Sequence, residues 1–108
     1  MNNENFQEAI QKHLGTIENN LLAKAKEYAV DGDRLHNFNR GASITGECRE
    51  KVLFGFALKH LVSVIDMIDN IQDKDAVPSQ HMLDEKVGDL GTYIALLYAS
   101  IQERVDNA

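Results

Sequence analysis

Apolar residues recur every three or four positions through three long segments of the chain, and this period constrains the fold more than any other feature. Such spacing gathers apolar side chains on one face of a helix, whereas a half-buried strand needs strict alternation. The first segment runs from about Asn5 to about Ala29, with Phe6, Ile10, Leu14, Ile17, Leu21, Ala25 and Tyr28 in one stripe. Gly15 interrupts it, and a glycine there costs about 1 kcal/mol relative to alanine, so a break or bend is left open. The second runs from about Glu47 to about Ile71, with Thr45 read as its N-cap and Glu47 facing the positive end of the helix dipole. Phe54, Leu58, Leu61, Ile65 and Ile68 make its main stripe, and Leu53, Phe56, Val64, Met67 and Ile71 widen it. A helix apolar over more than half its circumference is expected at the centre. The third runs from about Gln80 to about Asp106, with Ser79 as N-cap just after Pro78. Its main stripe is Leu83, Val87, Leu90, Ile94, Leu97, Ile101 and Val105, while Gly91, Ala95 and Ala99 lie four apart on another face. Small residues at that spacing let a second helix approach closely.

The connection from Val30 to Ile44 is long for a helical bundle, where about 2–8 residues are usual, and long ordered connections often carry function. A short helix is expected around Leu35–Ala42. The reading is an all-α bundle of three long helices and one short one, a single domain over residues 1–108. Its apolar arcs on the second and third helices exceed what one intramolecular partner needs, so homo-oligomerisation through helix faces is expected, a dimer or larger.

Composition narrows the function. Hydrophobic residues make up 44% and charged residues 26%, enough to build a core. A single Cys excludes an internal disulfide framework and a Cys-based zinc site, and favours a reducing compartment. The net charge of −6 is not the footprint of a general nucleic-acid binder. It does suit a metal–nucleotide complex, because carboxylates hold the cation and the cation holds the phosphates. The N-terminus has no basic cluster followed by an apolar run, and no apolar stretch approaches the ~20 residues needed to span a bilayer. A soluble cytoplasmic protein is the expectation.

Asp89 is the sharpest local conflict. With His81 and Glu85 it forms a row at i, i+4, i+8, yet it falls within a second apolar arc of Met82, Tyr93 and Leu96. A buried carboxylate must be paired, metal-bound or protonated. It reads either as a structural hydrogen-bond acceptor or as a metal ligand or catalytic group. His60 lies similarly among Leu53, Phe56 and Met67, and reads as a core histidine or as the partner of a buried acid. Lys59, Ser63 and Asp66 share a polar face that either lines a site or is simply solvated. Asp31, Asp33, His36 and Asn37 form a polar cluster after Glu27. Asp-Gly-Asp hints at a cation site, but the twelfth-position Glu of an EF-hand is missing, and a turn followed by a helix N-cap accounts for it equally. Cys48 reads as a packed residue near a helix start.

Several short motifs resemble a known family. Lys24-Ala25-Lys26-Glu27-Tyr28-Ala29 is followed by Asp31-Gly32-Asp33-Arg34-Leu35-His36-Asn37-Phe38. Lys59-His60-Leu61-Val62-Ser63 and Glu85-Lys86-Val87-Gly88-Asp89, with Tyr93 after it, complete the pattern. Over about residues 20–100 the chain resembles small phage and prophage proteins of the nucleotide modification associated domain 1 family. More remotely it is similar to the MazG-like all-α nucleotide pyrophosphohydrolases. The position three before Asp89 is Lys86 rather than Glu, and Glu27 is followed by Asp31 four residues later rather than by Glu three later. The resemblance implies a phage-type protein that binds a nucleotide or nucleotide-derived metabolite, with Mg²⁺ as cofactor. Glu27, Glu85 and Asp89 would be the metal ligands, and Asp31, Asp33, Arg34, His36, Asn37, Lys59 and His60 the ligand-binding residues. Hydrolysis at the α–β phosphate bond, sequestration without turnover, and acidic inhibition of a host nucleic-acid or defence enzyme are the activities it leaves open.

Overall fold

The computed structural model describes residues 1–28 and 30–108. Four helices follow one another: α1 (Asn3–Tyr28), α2 (His36–Thr45), α3 (Arg49–Lys74) and α4 (Gln80–Asp106). Among the described residues no strand forms; one isolated bridge joins Val30 to Asp33. The all-α reading therefore holds. No helix among the described residues is long and apolar enough to cross a membrane.

The boundaries follow from local chemistry. Gly15 does not break α1, which is continuous through it; Ala29, the expected end of this helix, lies outside the described residues. The turn after α1 places Asp31 at φ 53° and Gly32 at φ 80°, and closes with Asp33 N–H donating to Val30 C=O at 3.0 Å. Leu35 is the N-cap of α2 and makes no side-chain cap; Asp33 braces it from two residues earlier, its Oδ1 accepting from Leu35 N–H at 2.9 Å and its Oδ2 from Asn39 Nδ2 at 3.2 Å. The Asp-Gly-Asp segment is thus a turn that leads into α2, while the cap position itself falls to Leu35.

Thr45 is not the N-cap of the next helix. It is the last residue of α2, and Gly46 follows at φ 73° with its N–H on Ala42 C=O at 2.9 Å. Only a residue tolerant of left-handed backbone ends a helix this way, and glycine does so without a Cβ penalty. The chain re-enters helix three residues later, with Cys48 in the extended N-cap position and its side chain exposed rather than packed. The Ser79 cap is as expected, its Oγ accepting from Met82 N–H at 3.1 Å.

α3 and α4 are antiparallel, with Arg49 opposite Ser100 and Ser63 opposite Lys86. α1 lies along α4 in the same direction, Thr16 meeting Gly88 and Ile17 meeting Gly91. A Cβ at Gly88 would stand 2.7 Å from Thr16 Cγ2. Because Thr16 is β-branched and stiff at χ1, glycine is what permits this approach. α2 lies on the N-terminal half of α3, with Gly41 against Val52. Ala95 and Ala99 do not receive a helix; they floor a groove beneath the α1–α2 connection.

The core is small. Leu35, Phe38, Leu53, Ala57, Tyr93 and Leu96 form one buried cluster, with Leu21, Val52 and Leu97 packed against it. On α3 the burial falls on Leu53, Ala57 and Met67, whereas Phe54, Leu58, Ile65 and Ile68 of the main sequence stripe stay about half exposed. On α4, likewise, Tyr93 and Leu96 are buried while Leu83, Ile94, Ile101 and Val105 are exposed.

Candidate functional site

Two polar clusters interrupt the contacts around α4. The first lies where α1, α3 and α4 meet. Asp89 Oδ1 accepts from Asn20 Nδ2 at 3.5 Å, and its Oδ2 stands 3.8 Å from His60 Nδ1. Asn20 Nδ2 also donates to Thr92 Oγ1 at 3.1 Å, and the buried Thr92 hydroxyl donates to Gly88 C=O at 2.8 Å. The side chains of His60 and Asp89 remain 22% and 35% exposed, so the pair opens to solvent.

An aromatic ladder backs this pair. The His60 ring stacks on Tyr93 with centroids 4.9 Å apart, and Tyr93 stacks on Phe56 at 5.8 Å. Phe56 meets the edge of Phe38 at 5.7 Å. Lys24 Nζ lies 4.8 Å from the Tyr93 centroid, within cation–π range. On the other flank of Phe56, Lys59 borders a shallow basin of about 340 Å³ with Lys51, Val52 and Gly55. Lys24 and His60 thus contact the ladder, and Lys59 lines the same basin as Phe56, together with Lys51 and Glu47.

The residues singled out from sequence are divided between places. Lys59, His60 and Asp89 come to the ladder. Asp33 and Arg34 instead line a groove of about 490 Å³ with Leu35, Ala95 and Ala99, where Arg34 Nη2 donates to Leu21 C=O at 2.9 Å. Asp31 is exposed in the turn, and His36 and Asn37 begin α2. The expected metal set is not assembled. Glu27 is exposed, Glu85 pairs with His81 at 3.1 Å on the outer face of α4, and Asp89 faces Asn20 and His60. Among the described residues no group of three or more His, Cys, Asp or Glu side chains could hold a metal ion. The donor set does not fit a magnesium ion held by Glu27, Glu85 and Asp89 together. The reason is that one helical row commits its acids to separate near neighbours.

The second cluster went unseen in the sequence. Arg49 is buried at the start of α3. Its Nε donates to Ser100 Oγ at 2.6 Å, its Nη2 to Ser100 C=O at 3.1 Å, and its Nη1 to Glu103 Oε1 at 3.1 Å and Asn39 Oδ1 at 3.2 Å. Ser100 Oγ in turn donates to Glu50, which also accepts from Arg104 Nε at 2.7 Å. The signal available was Arg49 four residues before Leu53, on the face that also carries Ala57 and His60. The network clasps α2, α3 and α4 at one end of the molecule. With the Arg49 donors taken up by protein acceptors, it reads as architecture.

Burial pushes the Glu50 carboxyl up, but hydrogen bonds from Ser100 and Arg104 and the Arg104 charge outweigh it and hold the group below the ordinary 4.5. A carboxylate with a lowered folded-state pKa adds stability above its unfolded value, and that contribution disappears as pH falls through the folded value. Acid titration of stability is therefore expected to fall more steeply below pH 4.5 in the wild type than in Glu50→Gln. Parallel urea melts across that range check it, and identical pH slopes would contradict it.

Comparison with protein-family models, curated proteins and solved structures finds no match.

Proposed function

We propose that the chain binds a nucleotide or nucleotide-derived metabolite at the His60–Tyr93–Phe56 ladder and retains it without turnover. The observation that carries this reading is the gathering of Lys24, Lys59 and His60 around an aromatic ladder in a chain of net charge −6. In an acidic protein such a spot focuses anions, while half-exposed ring surface offers a base a stacking partner. Phe56 is 44% exposed and so supplies that surface. Asp89 orients the imidazole and gives a ribose hydroxyl an acceptor. Retention is favoured over hydrolysis because the acids that would activate water are dispersed: Glu85 on His81, Asp89 on Asn20 and His60, Glu27 at the surface. Magnesium, on this reading, arrives with the phosphates.

Calorimetric titration with a panel of ribo- and deoxyribonucleoside triphosphates, with and without Mg²⁺, tests it. Saturable binding is expected, weakened about tenfold by Lys59→Ala, which is about 1.4 kcal/mol. Asp89→Asn is expected to weaken binding and to lower stability by no more than about 1 kcal/mol, the worth of one exchanged hydrogen bond. Asp66→Asn, at an exposed position, should change neither. Release of pyrophosphate on incubation would replace retention by hydrolysis, and no binding by any nucleotide would remove the reading.

A further inference from the structure

We propose that the uncovered side of the α3·α4 pair seats a second copy of this chain, related by a two-fold axis that sets the two α3 helices antiparallel. The proposal stands independently of any ligand.

Surface area is the first argument. The chain exposes 7623 Å². A compact monomer of 12.1 kDa exposes only about 6,000 Å² by the usual mass scaling, so roughly 1,600 Å² is in excess. The Cα radius of gyration is 16.0 Å, against about 13 Å for a compact domain of this length. A standard stable interface takes about 800 Å² from each partner, well within this excess.

Part of the excess lies on α1, at Phe6, Ile10, Leu14 and Leu22, and a larger apolar share lies on α3 and α4. At about 100° per residue, Phe54, Leu58, Leu61, Ile65 and Ile68 are centred roughly 120° around α3 from its contact with α4. Leu83, Val87, Ile94 and Ile101 are centred roughly 110° around α4 from the same contact, in the same rotational sense. In an antiparallel pair, equal turns in the same sense point to the same side. α2 at Val52 lies in the opposite sense, while α1 meets α4 at Gly88 and Gly91, roughly 125° and 175° from the α3 contact, and borders Leu83 and Val87 at its far edge. The α3 stripe and the Ile94 and Ile101 part of the α4 stripe are therefore left uncovered by α1 and α2. Phe54, Leu58, Ile65, Ile68, Ile94 and Ile101 are each about half exposed there, and large contiguous apolar patches mark interaction sites.

A second copy fits because the stripe is self-complementary. Antiparallel pairing of α3 with its mate, centred at Leu61, sets Phe54 opposite Ile68 and Leu58 opposite Ile65. Along the edge of that stripe Lys51 stands at the N-terminal end and Asp69 and Asp73 at the C-terminal end, all exposed. The same register brings each Lys51 to the acidic end of the other copy, twice. An isologous interface requires this reciprocity, and a heterologous partner does not.

Sedimentation equilibrium of the full chain at micromolar concentration tests the proposal. The wild type is expected at twice 12.1 kDa. Leu58→Glu with Ile65→Glu should weaken dimerisation by at least roughly a hundredfold and give a monomer of unchanged helical circular dichroism, since charges at the centre of an interface are strongly disfavoured. Lys51→Glu should also weaken it, and adding Asp69→Lys should restore it, because only the antiparallel register pairs those ends. A monomeric wild type, or a dimer that survives the paired glutamates with helicity intact, would overturn the proposal. Failure of the charge swap to restore association would overturn the antiparallel register.

Discussion

Replacing Arg49 by Met will cost about 3–5 kcal/mol of stability, the range found when one partner of a buried charged network is removed. Arg49 is 8% exposed, and every arm of its guanidinium is engaged. Without it the Ser100 carbonyl, the Asn39 amide oxygen and the Glu103 carboxylate lose a shared donor, and Glu50 keeps only Ser100 and Arg104. The cost is the stranding of these acceptors. Arg49→Lys should recover only part of it, since one ammonium cannot reproduce a planar fork of donors. Urea melts of the two variants beside the wild type measure this. A loss below about 1 kcal/mol for Arg49→Met would mark the clasp as a surface ion pair of little weight.

Phe38→Ala is expected to cost about 3–5 kcal/mol as well, by a different route. Phe38 is 1% exposed and is the buried residue of α2. Truncation leaves a cavity against Leu53 and Leu96 and removes the edge contact that steadies Phe56. In a core of so few buried apolar side chains no neighbour has slack to fill the gap. α2 should then undock, which amide exchange over residues 36–45 would register as lost protection. Retained protection there, with a melt within about 1 kcal/mol of wild type, would contradict the packing described for this helix.

What the sequence made legible was what one helix at a time determines. Period located three long helices, and the short helix expected around Leu35–Ala42 within the long connection is observed at His36–Thr45. Helix ends were less secure, because Thr45 satisfies the criteria for an N-cap while Gly46 just after it satisfies those for a C-cap. The wheel also read Asp89 as at least partly buried and His60 as lying within an apolar arc, and the structure sets the two 3.8 Å apart. It could not say that α1 would supply Asn20 and Lys24 to the same place, because that depends on how α1 is rotated against Gly88 and Gly91. Nor could it say that Glu27 would stand apart from Asp89. The apolar arcs of α3 and α4 were wider than one partner needs, and the narrower sets around Leu53 and Tyr93 fill the core while the main stripes stay about half exposed. A single chain's pattern does not say which of its apolar faces meets a neighbouring helix. Arg49 escaped notice for the complementary reason: a charged residue at a helix start looks solvated until Ser100 and Glu103 are known to lie across from it.

Backbone amide chemical-shift mapping during nucleotide titration tests the central claim most directly, since it reads location as well as binding. The account predicts saturable shifts at Asn20, Lys24, Phe56, Lys59, His60 and Asp89, lost together in His60→Ala while the rest of the spectrum is preserved. Saturable shifts confined to the groove around Arg34, Ala95 and Ala99, or a spectrum unmoved by any nucleotide at millimolar concentration, would contradict it.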